Sequence, residues 1–313
     1  MNKKIISITA VLVACSIVAG FLFWKNNGVD SHGKSAYAHT EAILSFGPRT
    51  PGSEGLKKAH RYISNELSKS GWKTITQTVE RDTPVGKRTF INLIARYEPG
   101  QLNSLKNLDS LPTTGILCAH LDSKTIPGIP EFLGADDATS ACALIIELAT
   151  TLAKENPEQA KKLELVFFDG EEAFGEHMTI DPQEGLYGSR AYATLLYNRH
   201  PKPKFGILLD MIGHKNLKIA VPGDTPPDLY DTLTRAAQTH KQEKRYSMLD
   251  TGVLDDHYYL NKAGVPTIDI IGADFSDSHW WHQKGDTIDL ISAKSLTISY
   301  HVTLTMLREL LAK

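Results

Sequence analysis

Leu163-Glu164-Leu165-Val166-Phe167-Phe168-Asp169-Gly170-Glu171-Glu172-Ala173-Phe174 is the stretch on which the reading of this chain turns. Five of its first six residues are apolar, as in a strand buried on both faces of a parallel sheet. It then breaks off into three carboxylates around one glycine. Ligands of open α/β sheets collect just beyond the carboxyl ends of the strands, so Asp169, Glu171 and Glu172 stand where chemistry is done. Two adjacent carboxylates repel each other unless a cation or a shared proton relieves them. A glutamate on a metal beside a glutamate working as acid and base would use both. Taken alone the pair is more often a solvated acidic turn, and the rest of the chain has to decide.

Outward from this stretch, strand-like and helix-like segments alternate. Towards the amino terminus, Tyr37 to Phe46 reads as a short helix, and Ser53 stands ready to cap a helix over Glu54 to Ser70. Lys73 to Arg81 and Thr89 to Tyr97 read as an antiparallel strand pair, and Gly115 to His120 as a short strand. A helix follows at about Ala138 to Ala153. Beyond the acidic turn come a helix near Ser189 to Asn198 and a strand Phe205 to Leu209 that ends at Asp210. A strand Leu217 to Val221 and a helix Pro227 to Thr239 come next. Helical turns over Asp256 to Ala263, a buried strand Val265 to Ile271 and a last helix Ser292 to Leu311 close the chain. This alternation predicts an α/β three-layer sandwich with a mixed, mostly parallel central sheet. No composition break divides residues 37–313, which read as one domain.

The chain has 313 residues, 41% hydrophobic and 22% charged, enough for a sizeable core. A net charge of −2, with no basic block, gives no case for nucleic-acid binding. Residues 1–25 stand apart: Lys3 and Lys4 precede an apolar run from Ile5 to Trp24, closed by Lys25. About twenty apolar residues suffice to cross a bilayer, and the flanking lysines would stay cytoplasmic. A membrane signal anchor is the first expectation, followed by a linker over 26–36 and an exported domain over 37–313. Leu12-Val13-Ala14-Cys15 resembles a lipoprotein box, and a cleaved signal is a third possibility; all three export the domain. Three cysteines are too few for a disulfide framework; Cys118 and Cys142 could pair or remain buried thiols.

Polar groups fall repeatedly at the predicted strand ends: His120, Asp137, Glu171 with Glu172, Asp210, Asp256 and His282. Each has a plain structural reading, as a packed histidine, a helix cap or a loop carboxylate. Together they form a His and carboxylate set of the kind that suits zinc, for which three protein ligands and an open position is the usual catalytic arrangement.

The order His120-Leu121-Asp122, Gly134-Ala135-Asp136-Asp137, Glu171-Glu172, Asp210 and His282 resembles the zinc aminopeptidases of the M28 clan. Further stretches are similar to one branch of it, the animal-type glutaminyl-peptide cyclotransferases. They are Gly52-Ser53, His120 to Lys124, Phe168 to Ala173, Leu186 to Arg190, Leu208 to Asp210, Asp255-Asp256-His257, Gly264-Val265-Pro266 and Trp281-His282. The resemblance runs from about residue 40 to the end. It implies one zinc ion held by Asp137, Glu172 and His282, with Glu171 as proton shuttle and Asp210 and Asp256 as acidic hydrogen-bonding partners. Trp281 would be part of the substrate wall. The implied reaction converts an N-terminal glutamine of peptides and proteins to pyroglutamate with release of ammonia.

The chain also departs from that branch. A pocket-shaping tryptophan expected shortly after Glu171-Glu172 is missing; His177 lies near its place and is the candidate substitute in the substrate wall. The family pairs a cysteine directly before the strand-end histidine with one matching Cys142. Here Ala119 takes that place and Cys118 is one residue away, on the other strand face, so no disulfide is implied. His120 and Asp210 match the additional ligands of a two-zinc aminopeptidase, which is the alternative enzyme. A receptor-like domain that has kept only the fold is a third reading, opposed by the intact Glu171 and ligand set.

Overall fold

The computed structural model describes residues 28–313 apart from 101, 274 and 276–278. The predicted anchor over 1–25 lies outside the described residues, and among those described no helix is long and apolar enough to cross a membrane. The first helix, α1 (Ser31–Leu44), begins inside the segment expected to be linker. The reason is local: the Asp30 carboxylate accepts the Gly33 amide at 2.9 Å and caps the helix. Ser53 caps α2 (Glu54–Lys69) in the same way, accepting the Leu56 amide at 3.1 Å.

The strands are β1 (Trp72–Arg81), β2 (Arg88–Tyr97), β3 (Gly115–His120), β4 (Leu163–Phe168), β5 (Phe205–Asp210), β6 (Ile219–Val221), β7 (Tyr246–Met248) and β8 (Thr267–Gly272). They form one sheet in the order β1-β2-β4-β3-β5-β8-β6-β7. The inner strands β4, β3, β5 and β8 run parallel, while the β1–β2 hairpin adds to β4 antiparallel. Beyond β8, strand β6 turns antiparallel and β7 runs parallel to it. The sheet is the mixed, mostly parallel one expected. Only β7 went unread: its three residues are too short and too polar to give a period.

The other helices are α3 (Ala141–Glu155), α4 (Pro157–Lys161), α5 (Tyr187–Tyr197), α6 (Pro227–Thr239), α7 (His257–Lys262) and α8 (Ala293–Ala312). Side chains from α1, α2, α3, α6 and α8 join Leu117, Leu165, Ile207 and Ile268 in one large core on one face of the sheet. On the other face α5 and α7 cover Ile116, Val166, Phe168 and Leu208. Successive residues of each inner strand therefore enter opposite cores, the three-layer arrangement that a fully apolar strand requires. Cys118 lies in the α5–α7 core and Cys142 in the other; both are free thiols, as the strand alternation implied.

Candidate metal centre and active site

Because β3, β4, β5 and β8 are parallel, their carboxyl ends share one edge of the sheet. His120 ends β3 opposite Phe168 of β4, and Asp210 ends β5 opposite Ile271 of β8. The turn after β4 depends on Gly170, which has φ +78; a Cβ there would lie 2.3 Å from the Phe90 ring. Asp169 secures the same turn, its Oδ2 accepting the Ile91 amide at 2.6 Å while its own amide donates to Asn92 Oδ1 at 3.1 Å. Glu171 and Glu172 are thereby carried past the sheet edge, and both are buried rather than solvated.

Asp137 arrives from a kinked turn, Ala135–Ser140, ahead of α3. Gly134 permits that kink, since a Cβ on it would sit 2.1 Å from the Asp137 carbonyl oxygen. Buried Arg49 donates to the carbonyls of Leu121 at 2.9 Å and Gly134 at 3.2 Å, joining the β3 exit to this turn. Asp286 accepts the amides of Asp136 at 2.8 Å and Asp137 at 3.3 Å. His282 reaches the site from the loop after β8 with φ +52, an uncommon conformation for a residue with a side chain.

His282 Nε2 lies 3.4 Å from Asp137 Oδ2 and 3.4 Å from Glu172 Oε2. Tetrahedral zinc bonds of about 2.0–2.2 Å place ligand atoms roughly 3.4 Å apart, which these two spacings match. His120 Nε2 stands 3.1 Å from Asp137 Oδ1 and 3.5 Å from Asp210 Oδ1, forming an adjoining group that shares Asp137. The unmet hydrogen-bonding capacity of the site points the same way. Glu172 Oε1 and Asp210 Oδ1 are buried without a hydrogen-bond partner. Unpaired buried acceptors crowded together call for a cation.

The titration of these groups reports the same crowding. Burial, then Glu172, Asp255 and Asp256, push the Glu171 carboxyl well above its ordinary range against the pull of His120. Asp210 is raised to about 8, by burial first and also by Asp137 and Asp255, with His120 opposing. Burial also disfavours the anion of Asp137, but His120 and His282 outweigh it and hold its pKa below the ordinary value. His282 in turn is raised to about 9, its burial overcome by Asp137 and Glu172.

The ligand group opens into a cavity of about 70 Å³ lined by Glu171, Asp210, Asp255, Met178, Phe275 and Trp281 among others. Trp281 stacks on His282 with ring centroids 3.8 Å apart and meets Phe275 edge-on at 5.5 Å. Of the residues singled out from the sequence, Asp137, Glu171, Glu172, Asp210, Trp281 and His282 line this cavity, with His120 directly beneath them. Two are placed elsewhere. Asp256 is fully buried behind the wall, and the lining carboxylate is its neighbour Asp255. His177 points outward with 81% of its side chain exposed, and Met178 faces the cavity instead. The loop is folded this way by Glu184, which accepts the amides of Phe174 and Gly175 and the Tyr187 hydroxyl.

Four supporting residues were not assigned a role from sequence: Arg49, Asp122, Lys124 and Asp286. Asp122 accepts the Glu171 amide at 3.2 Å and the Glu172 amide at 3.3 Å, and its Oδ1 lies 3.6 Å from His120 Nδ1. Lys124 Nζ is 3.2 Å from Glu172 Oε2 and donates to the Ala173 carbonyl at 2.9 Å. The signal for Asp122 and Lys124 was present in their spacing after His120, but their backbone partners are invisible in a sequence.

The peptidase family M28 profile matches residues 92–307. A glutaminyl-peptide cyclotransferase of Dictyostelium discoideum is 29% identical, the match covering 82% of this chain and 79% of that one. The crystal structure of an Acidobacteriales bacterium glutaminyl cyclase superposes with a TM-score of 0.72 at 30% identity, covering 89% of this chain and 94% of the other. A Bacteroides thetaiotaomicron chain described as a leucine aminopeptidase precursor also superposes, with a TM-score of 0.75 at 25% identity over 88% and 96% of the two chains. By sequence profile, fold and the arrangement at its sheet edge, the chain belongs to peptidase family M28, in the branch of the glutaminyl cyclases.

Proposed function

We propose that the chain is a zinc-dependent glutaminyl-peptide cyclotransferase, acting on peptides and proteins with an N-terminal glutamine. The observation that carries this reading is the cavity. Its enclosed space is small, about 70 Å³, and Glu171, Asp210, Asp255 and Trp281 face it together with the Asp137, Glu172 and His282 group. A space of that size suits one terminal residue, and intramolecular attack requires no second reactant. Asp137, Glu172 and His282 would hold the zinc, which when bound supplies Lewis-acid polarisation of the side-chain amide carbonyl.

The rest is work for the chain's own carboxylates. The substrate amine arrives protonated, and Glu171 removes a proton so that the nitrogen can attack the side-chain carbonyl carbon. As the ring closes and the bond to the amide nitrogen breaks, Glu171 returns that proton to the departing nitrogen, and the second proton shed by the ring nitrogen leaves with the ammonia as ammonium. A carboxyl of ordinary pKa, about 4.3, against an α-amine near 7.8 would leave that first transfer uphill by about 5 kcal/mol. Burial and the neighbouring acids raise Glu171 and narrow the gap. Asp210 and Asp255, which line the cavity, would accept hydrogen bonds from the amine and hold it over the carbonyl, an orientation that turns proximity into rate. Trp281 and Met178 would form the apolar walls against the glutamine methylenes.

A second reading, a two-zinc aminopeptidase, is favoured by one observation, the adjoining group of His120, Asp137 and Asp210. Peptides beginning with glutamine and with leucine, followed by mass spectrometry alongside a zinc count, separate the two. Loss of ammonia from the glutamine peptide alone, with one zinc per chain, is expected; release of free leucine would overturn the cyclase reading. The apolar run in residues 1–25 supports a membrane anchor with the catalytic domain, 37–313, outside the cytoplasm. Protease added to intact cells from which any outer barrier has been removed should then degrade the domain, and protection equal to that of a cytoplasmic marker would count against export.

A further inference from the structure

The face on which the described chain begins is basic, although the chain as a whole carries −2 and shows no basic block in sequence. The fold gathers this charge from three segments. Asp30 is fixed to α8, its Oδ2 2.6 Å from His301 Nε2, and a Cβ on Gly28 would lie 3.6 Å from Lys294 Cε. His301 stacks on His240 at the end of α6 with ring centroids 5.3 Å apart, and Lys241 follows. The Lys215 amide donates to the Leu290 carbonyl at 2.9 Å, just ahead of α8. Lys218 and Arg245 immediately precede β6 and β7, which pair from Ile219 and Tyr246 onward. With Lys241 and Lys244 they line an open recess of about 470 Å³. Arg245 is braced there, donating from Nε to Gln242 Oε1 at 2.8 Å and from Nη1 to the Leu217 carbonyl at 2.9 Å. All five lysines are exposed, and Lys215, Lys241, Lys244 and Lys294 form no ion pair among the described residues. The exposed acids in the same segments are Glu243 and Asp289.

We propose that this face docks on the anionic lipid headgroups of a bilayer, a role that rests on the membrane-anchor reading of residues 1–25. Chain length supplies the geometry. Lys25 closes the apolar run and Gly28 opens the described fold, so the three steps between them span at most about 11 Å of extended chain. That is close to one Debye length at physiological salt, roughly 8–10 Å, so charges around Gly28 act on headgroup phosphates before salt screens them. A linker reaching residue 36 would let the domain turn any face to the membrane; with α1 starting at Ser31 that freedom is gone. Each basic side chain near an anionic surface strengthens the attraction about fivefold. Because the anchor makes docking intramolecular, individually weak contacts suffice. The cations are spread over three segments rather than converging on one point, which fits a sheet of headgroups better than a single small anion.

The test reads lysine accessibility in the full-length chain, in lipid nanodiscs of phosphatidylcholine alone or with phosphatidylglycerol added. A neutral acetylating reagent labels the lysines, and mass spectrometry gives the rate at each. In the anionic discs Lys215, Lys218, Lys241, Lys244 and Lys294 should label at least about fivefold more slowly than in neutral discs, the contribution of one basic side chain. High salt should abolish the difference. Lys57, Lys58 and Lys69 on α2, which packs at the β1 edge of the sheet, should label alike in both. Lys241→Glu/Lys244→Glu should restore fast labelling of Lys218 and Lys294 in anionic discs, with an unchanged thermal melt. Equal rates in the two discs would overturn the proposal. So would equal protection in neutral discs, or protection already present in detergent, which would mean that a second copy covers the face. Incorporation into neutral discs tests the anchor by itself. A chain that stays out of them refutes the anchor, and labelling of that chain mixed with anionic discs then decides the docking face.

Discussion

Strand β4 carries a buried acid cluster at each end, and the two are built in opposite ways. At its start Glu164 is wholly buried, yet every carboxylate oxygen has a partner. Oε1 accepts from Arg199 at 3.1 Å and from the Tyr192 hydroxyl, and Oε2 from Arg96 at 3.4 Å. Arg96 is itself tied to the carbonyls of Pro112 at 2.5 Å and Lys161 at 2.8 Å. Seven and eight residues along, Glu171 and Glu172 are also buried but crowd one another and Asp210 of β5, with Glu172 Oε1 and Asp210 Oδ1 left unmet. Burial alone therefore says little about an acid's purpose. The first cluster is closed and holds the fold; the second is left short of positive charge and so remains available for a cation and a moving proton.

Breaking each end in turn should give different kinds of failure. The largest effect is expected from Glu171→Gln: turnover of a glutamine-initiated peptide should fall by about 10²–10⁴, the usual range for a lost acid–base group. Zinc content should not change. Parallel loss of zinc would show that Glu171 is a ligand. Glu164→Gln should do the reverse, lowering unfolding free energy by about 3–5 kcal/mol by leaving two arginines buried without their anion. The kcat of the folded fraction should hold, as denaturant titration with an activity assay can show.

A lone half-buried histidine tests the comparison from outside. His60 on α2 is held neutral by burial, its pKa lowered to about 4, and its Nε2 has no hydrogen-bond partner. The unfolded chain takes up a proton there below about pH 6.5 while the folded chain does not, so stability is full above that pH. It should decline as pH falls from about 6.5 towards 4, by up to about 3 kcal/mol. His60→Leu should flatten that limb in melts taken at several pH values. A smaller loss is expected from Asp122→Asn, which removes a carboxylate that two backbone amides and His120 share. Zinc affinity should weaken by about 10–100-fold, the range for lost outer partners of a metal site. The smallest effect belongs to His177→Ala: an exposed side chain outside the cavity should shift neither KM nor stability by more than about 0.5 kcal/mol.

What could be read from the sequence follows from the range of each interaction. Period and capping are local, so the α/β layering, the inner strands and the cap at Ser53 lay within reach of neighbouring residues. The start of α1 was missed by six residues because Asp30 caps a helix whose first turn, Ser-His-Gly-Lys, reads as polar linker. Choosing between Asp255 and Asp256 demands knowing which way a bend faces, since neighbours there point to different sides. The same holds for His177 and Met178, whose orientation is set by Glu184 folding its loop from several residues away. Arg49 and Asp286 act on backbone groups 72 to 150 positions distant, and no residue pattern announces such a bond.

Asp122 has a consequence that extends past the chemistry. One carboxylate receives the amides of both glutamates and faces the histidine beneath them. A substitution there cannot retune the proton carrier while sparing the metal ligand, because the two hang from the same two oxygens. Mutational drift at this position is therefore closed off as a route to altered activity, and variation has to come through the loops: the Glu176–Glu184 segment and the stretch that delivers Trp281.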